Sequence, residues 1–347
     1  MKITIEAMGG QFCFECAPDE RILYAALSEG LSMPYECATG TCGTCRGRIT
    51  AGKAEIEWDA APGFARLKRE KGDILLCQAR PTSDCALRVP AKVTQQASSA
   101  PLPRHGTGRV TAVRKLTHDV LQFDLALGQP MIFAAGQFVV LETPRVHGGR
   151  AYSMVNFGHA AESIRLVVKQ KPDGRFCEWL FAGDVVGSEL GVFGPLGRAT
   201  FDPREPRNVL CIAGGSGIAG MLSILERAAE VQHFHEHAGH VFFGVRALAD
   251  GFYLKELAQH AARAGGSVEI TLALSHEAPR ERVHPQFPEI HLAHGMVVDV
   301  AARAMAGRCD NVVAFMAGPP PMVDAGLQLL LRTMRVPRQF VRYDKFA

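Results

Sequence analysis

No run of roughly 18 or more apolar residues occurs anywhere in this 347-residue sequence, so nothing in it reads as a helix that crosses a membrane. The amino end, "MKITIEAMGGQFCFEC", has no apolar signal core and alternates polar and apolar residues as a strand does. A large charge of either sign is missing as well. The 38 Lys+Arg stand against 35 Asp+Glu, a formal +3. Nucleic-acid binding needs a concentrated basic face, so no nucleic-acid partner is expected. Aromatic residues are sparse at 7%, but 47% of the chain is apolar. That is enough for a buried core in each of the two or three domains this length suggests. The expectation is a soluble, cytoplasmic monomer without stable membrane insertion.

Ten cysteines are present, and in a reducing compartment they read as metal ligands, reactive thiols or core residues before disulfides. Cys37, Cys42 and Cys45 crowd into "YECATGTCGTC", and Cys77 follows in "DILLCQARP". The set is C-x4-C-x2-C with a fourth cysteine farther on, the plant-type [2Fe-2S] spacing. Two irons and their bridging sulfides need four thiolates around a small volume. A tight loop supplies three and a neighbouring element the last. Gly40 and Gly43 let such a loop curl and bring backbone N–H groups close to the sulfurs. Structural zinc is the competing reading, but it usually takes paired C-x2-4-C knuckles, and only the first half fits. Cys13 and Cys16 form a C-x2-C in a strand-like stretch, where residues three apart face opposite sides. They read as ordinary strand cysteines, and Cys85, Cys211 and Cys309 as packed ones.

"PYECATGTCGTCRGRI" together with "LLCQARPTSDCALRV" resembles the plant-type ferredoxins. That resemblance implies a β-grasp [2Fe-2S] domain of α+β class over residues 1–92, with two strands at about 2–7 and 11–16 and a helix over "RILYAALSE". Residues 1–92 hold 12 Lys+Arg and 12 Asp+Glu, whereas isolated ferredoxins of this type are often acidic. A ferredoxin fused to its electron donor has no need of charge steering to reach it.

"AKVTQQASSAPLPRHG" has no periodicity and reads as a linker over 93–106, a tether on which the cluster domain could pivot. Short alternating strands follow: "GRVTAVRKL", "VLQFDLAL", "QFVVLE", "RAYSMV", "SIRLVVK" and "GSELGVF". Their even spacing suggests an antiparallel barrel over 107–205. "RAYS", Arg150 to Ser153, resembles the R-x-Y-S motif of the ferredoxin–NADP reductase superfamily. The resemblance makes this an FAD-binding barrel. Arg150 then pairs with the FAD pyrophosphate, Tyr152 stacks on the isoalloxazine, and the Ser153 hydroxyl lies near N5. Tyr152 and Ser153 are the residues placed at the reacting centre. Ala151 lies in the same motif, and Val167 and Lys169 extend the FAD contacts on the next strand. Gly174, Arg175, Phe176 and Cys177 match the family's second phosphate-binding segment, with Cys177 where relatives carry Ser or Thr.

From residue 206 to 347, strand–helix alternation implies an α/β domain with a parallel doubly wound sheet. "GGSGIAG" opens its first helix. Gly215, Gly217 and Gly220 satisfy G-x-G-x-x-G, but the superfamily's glycine loop is the better match, with Gly220 in place of Pro. Gly214, Gly215, Ser216 and Gly217 are the expected NAD contacts there, since glycines let backbone approach a pyrophosphate at a helix start. "AGPPPM" resembles the family's C-G-P-P-x-M loop. It contributes Gly318, Pro319, Pro320 and Met322, with Ala317 at the usual Cys. Arg246 ends the second strand, and Asp250 would repel a 2′-phosphate, which favours NADH. Phe346 is the candidate aromatic against the flavin. The cluster "QHFHEHAGH" is read as a solvated loop rather than a metal site.

The order of the three modules resembles the reductase components of bacterial multicomponent oxygenases. That family passes electrons from NADH through FAD and a [2Fe-2S] cluster to an oxygenase, either a diiron monooxygenase or a Rieske dioxygenase, or to its small Rieske-type ferredoxin. Two other readings stand beside it: a reductase for another pathway, such as a deoxysugar dehydratase, and a redox-sensing module with little turnover.

Overall fold

The computed structural model describes residues 1–96, 101–172 and 174–345. Within them the chain forms three larger sheets and one two-stranded ribbon.

In the first sheet, β1 (Lys2–Met8) and β2 (Gly10–Glu15) form a hairpin whose turn uses Gly9 and Gly10 at positive φ. Ile3 and Ile5 point inward while Thr4 and Glu6 face out, as strand alternation requires. Then come α1 (Ile22–Ser28), β3 (Arg46–Ala51), β4 (Ala54–Ile56), β5 (Asp73–Leu75), β6 (Ala79–Pro81) and β7 (Cys85–Lys92). The sheet order is β2-β1-β7-β3-β5, with β7 parallel to β1, while β4 and β6 form the ribbon. Helix α1 is buried from Ile22 to Leu27 across this β-grasp sheet.

The second sheet is antiparallel. It contains β8 (Arg104–Lys115), β9 (Val120–Met131), β10 (Phe138–Thr143), β11 (Val146–Ser153), β12 (Ala161–Lys169) and β13 (Glu189–Leu196), in the order β11-β10-β13-β8-β9-β12. It curls so that its two edge strands, β11 and β12, line one cleft. The short helix α2 (Arg175–Phe181) follows β12.

The third sheet is parallel: β14 (Asn208–Gly214), β15 (Gly239–Val245), β16 (Val268–Leu274), β17 (Ile290–His294), β18 (Val312–Gly318) and β19 (Val341–Lys345), ordered β17-β16-β15-β14-β18-β19. Helices α3 (Ile218–Glu230) and α4 (Leu254–Arg263) share one core with one face. Helices α5 (Val297–Ala304) and α6 (Pro320–Gln328) pack on the other. The strand order reverses at β14, so a crevice opens beyond the carboxyl ends of β14 and β18, where doubly wound folds bind their ligands.

Three expectations change. Strand β8 starts at Arg104, inside the segment read as linker, because Arg104 pairs with Gly194. The remaining described part of that segment is also held. Thr94 N donates to Ser32 Oγ, Gln95 Nε2 donates to Glu29 O, and Val93 is buried. Residues 97–100 lie outside the described residues. The cluster domain is packed against the second sheet. Its core runs without a break into Phe138, Val140, Phe193 and Leu196 of the second sheet, and Tyr24 stacks on Phe193 at 4.1 Å between ring centroids. The histidine cluster is not a solvated loop throughout. His233 and His240 are buried, His233 against the Arg207 carbonyl at 2.8 Å.

Candidate functional site

The four cysteines form two close pairs. Cys37 Sγ lies 3.3 Å from Cys42 Sγ, and Cys45 Sγ lies 3.2 Å from Cys77 Sγ. These separations are far longer than a disulfide, so both pairs are free thiols. Gly40 (φ 94) and Gly43 (φ 82) make the loop's reversals. Thr39 N and Thr44 N donate to Cys37 Sγ and Cys42 Sγ, each at 3.4 Å. Gln78 Nε2 points at Cys77 Sγ at 3.8 Å. Such N–H···S contacts favour thiolate sulfur, so the donor set fits a [2Fe-2S] cluster. Cys37, Cys45 and Cys77 are buried, while Cys42 is partly exposed.

The Cys37 side of that loop opens on a cleft of about 590 Å³. Cys37, Thr39, Thr41 and Trp58 form one wall. Strand β11 supplies Arg150, Ala151, Tyr152 and Ser153, and β12 supplies Val167 and Lys169. The following turn and α2 add Gly174, Phe176 and Cys177. The third sheet adds Gly214 to Gly217, Arg246, Gly318, Pro319 and Pro320. The register explains the second wall: β10 pairs Leu141 with Arg150 and Phe138 with Ser153, which holds the motif extended along the sheet edge.

Within this cleft the polar groups fit an anionic dinucleotide. Arg150 Nη1 donates to the Gly149 carbonyl at 2.9 Å, and among the described residues it has no carboxylate partner. Its charge is therefore free for a phosphate. Lys169 is engaged differently: Nζ sits 2.9 Å from Asp119. Burial opposes ionisation of Asp119, but the Lys169 hydrogen bond and charge outweigh it and hold its carboxyl below the ordinary range. Tyr152 leans on Phe176 and meets Phe123 edge-on, and burial pushes its phenol pKa up. The Cys177 thiol turns back onto the Lys169 carbonyl at 3.5 Å.

On the opposite side, the loop after β14 and the loop after β18 touch. A Cβ on Gly217 would lie 2.1 Å from the Ala317 carbonyl, and one on Gly214 2.7 Å from Met322 Sδ. Only glycine allows this approach, which leaves backbone N–H groups bare at the start of α3.

Comparison with known proteins agrees with this geometry. Residues 5–82 match a 2Fe-2S iron-sulfur cluster binding domain, residues 107–201 an oxidoreductase FAD-binding domain, and residues 211–327 an oxidoreductase NAD-binding domain. The chain is 37% identical to the ferredoxin–NAD(+) reductase component of the alkene monooxygenase system of Xanthobacter autotrophicus, over 96% of this chain and 98% of that protein. The chain belongs to the ferredoxin–NAD reductase components of oxygenase systems. It is also 31% identical to a ferredoxin–NAD(P)(+) reductase of Metapseudomonas resinovorans, over 97% and 98% of the two chains. A solved ferredoxin reductase of carbazole 1,9a-dioxygenase superposes with a TM-score of 0.84 at 29% identity, covering 100% of this chain and 99% of that one. The three cofactors of this family are a [2Fe-2S] cluster, FAD and NAD.

Most residues singled out from the sequence thus line one cleft or the adjoining cluster loop. Arg175 and Met322 stand outside the lining: Arg175 begins α2, and Met322 packs beneath Gly214 and Gly318. Asp250 is also away from the cleft, where its carboxylate accepts from Ala247 N at 3.0 Å. Arg246 is the charged side chain that β15 delivers there. Phe346 lies outside the described residues. Sequence reasoning missed Trp58 and the Lys171–Pro172 turn. Trp58 carried a signal, as one of only two tryptophans, placed between the third and fourth cluster cysteines.

Proposed function

We propose that this chain is an NADH-dependent reductase that delivers single electrons to an oxygenase component or to that component's small ferredoxin. One observation carries the reading: a single cleft is walled at once by the cluster loop, the R-x-Y-S strand and the two glycine loops of the parallel sheet. When bound, NADH gives two electrons as hydride, FAD takes them together and releases them singly, and the cluster carries one at a time.

The protein's part is positioning. Arg150 holds the FAD pyrophosphate by charge. Tyr152 offers a flat face, and Ser153 a hydroxyl at the reacting centre. Ala151, Val167, Lys169, Gly174, Phe176 and Cys177 complete the FAD contacts. Gly214, Gly215, Ser216, Gly217, Arg246, Gly318, Pro319 and Pro320 receive the nicotinamide dinucleotide, and Met322 supports the two glycine loops from beneath. Cys37, Cys42, Cys45 and Cys77 ligate the irons. No acid–base side chain is needed. The relatives named for monooxygenase systems support an oxygenase as acceptor. The domains are 1–92, 93–106 as connection, 107–205 and 206–347, with the barrel's first strand reaching back to Arg104. No helix among the described residues is long and apolar enough to cross a membrane, and a cytoplasmic monomer accords with that.

Anaerobic addition of NADH to the reconstituted protein should bleach the flavin absorbance and then raise the paramagnetic signal of a reduced two-iron centre. Flavin bleaching without that signal would sink the proposal. Arg150→Ala should weaken FAD binding about 10- to 100-fold, the weight of a charged hydrogen bond. Fluorescence titration of the stripped protein measures it.

A further inference from the structure

The charge balance of the cluster domain conceals an asymmetry. Residues 1–45 hold two Lys+Arg against six Asp+Glu, whereas residues 46–92 hold ten against six. Four of those cations, Arg66, Lys68, Arg69 and Lys71, are exposed on the two short 3₁₀ turns between β4 and β5. The first of these turns lies directly on the cluster loop. Gly63 N donates to Gly40 O at 2.9 Å, and Arg66 Nη1 donates to Cys42 O at 2.9 Å.

The two sides of the loop differ. Cys37, Thr39 and Thr41 face the dinucleotide cleft. Cys42 is the partly exposed ligand, and it is the one Arg66 touches. Electrons that enter from the flavin side therefore have their shortest way to solvent past Cys42. Four cations stand there against two exposed acids, Glu70 and Asp59, so the patch keeps a net positive charge. Arg66 bonds a neutral carbonyl, and Lys68 and Lys71 make no side-chain ion pair among the described residues. Arg69 is the exception: it pairs with exposed Asp59 and lies over the Phe64 ring at 4.6 Å.

We propose that Arg66, Lys68, Arg69 and Lys71 form the docking rim for the electron acceptor, and that the acceptor is a protein presenting an acidic face around its own redox centre. This rests on the reductase reading above. A localised excess of one sign of charge steers encounter and fixes orientation, and it does so in a salt-dependent way. The polarity is the reverse of that of free acidic ferredoxins, which explains how a domain of zero net charge can still select its partner.

Two forms of one acceptor test it: native cytochrome c, which is basic, and the same cytochrome with its lysines succinylated, which is acidic. The acidic form should be reduced with the higher kcat/KM at low salt. Its rate should fall about tenfold as salt screens the rim, while the basic form's rate should rise. Lys68→Glu/Lys71→Glu should reverse the preference and leave NADH-driven flavin bleaching unchanged, and Arg66→Glu should push further the same way. Equal kcat/KM for the two cytochromes, or a preference the double variant does not alter, would overturn the docking rim. Reduction of neither cytochrome by fully loaded protein would instead overturn the reductase reading.

Discussion

At Gly217 the backbone leaves no room for a side chain, because the Ala317 carbonyl already occupies the place of a Cβ. Gly217→Ala must separate the loops after β14 and β18, two of the loops that wall the cleft and the ones proposed to receive NADH. Flavin and cluster absorbance should stay at wild-type levels, since Arg150 and the cysteines lie in other domains. The KM for NADH should rise about 5- to 150-fold, in keeping with the 1–3 kcal/mol typical of enforced overpacking. A stopped-flow NADH series would show it, and an unchanged KM would remove these loops from the binding site.

Asp344 supplies a pH-dependent counterpart. It is buried on β19, beside the Gly197 turn of the second sheet. Burial first, and the Glu36 charge second, push its carboxyl up to about 7. The folded chain thus keeps a proton that the unfolded chain sheds near pH ~4. Stability from this group is whole below that value, falls as pH rises towards 7, and is fully lost above it. Asp344→Asn removes the loss. The variant should unfold at higher temperature than the wild type at pH 8, by an amount worth at most about 4 kcal/mol, and the gap should narrow towards pH 5. Flavin release on heating follows it. A gap independent of pH would show that Asp344 does not titrate there.

At the scale of elements, much was legible because local pattern and local chemistry coincide. The cysteine spacing depends on one loop and one neighbour, and that loop forms wherever the two meet. The continuous apolar run of β14 and its glycine loop read clearly for the same reason. Strand β17, "IHLAH", did not. It is a short edge strand flanked by histidines, and only pairing with β16 makes it a strand. Strand β19 was equally hidden, since "VRYDK" gains its regularity from the parallel neighbour β18. The segment 93–106 misled for a related reason. Its polar, unpatterned composition is that of a free tether, but residues 94 and 95 fasten to the loop after α1, and Arg104 enters a sheet. Composition reports what a segment cannot bury alone. It is silent about what a neighbouring domain offers it.

At the scale of the molecule, the question is what holds the cluster against the flavin site. Arg21, only 4% exposed, sits at the seam. It bonds both oxygens of Glu57, at 2.8 and 2.9 Å, and it also reaches Glu142 on β10. Its Nη1 donates to Tyr24 OH at 2.9 Å, and that hydroxyl donates to Ala38 O at 3.0 Å, next to Cys37. Because β10 pairs with the R-x-Y-S strand, one hydrogen-bonded chain links the FAD wall to the cluster loop. Arg21 is thus a positioning residue, and no sequence motif marks it because its partners are 36 and 121 positions away. Arg21→Ala opens a hole beside the Tyr24–Phe193 stack and strips a buried charge from two carboxylates, at a cost of about 3–5 kcal/mol. Arg21→Met should cost less. It fills the space, Glu57 keeps Arg80 at 3.1 Å, and Glu142 is partly exposed and can rehydrate. The signature that separates positioning from mere stability is kinetic. In Arg21→Ala, NADH should bleach the flavin at the wild-type rate while cluster reduction slows at least tenfold, and small-angle scattering should report a larger radius of gyration. If cluster reduction keeps pace with flavin reduction in that variant, the apolar seam alone sets the distance, and the Arg21 chain is incidental to electron transfer.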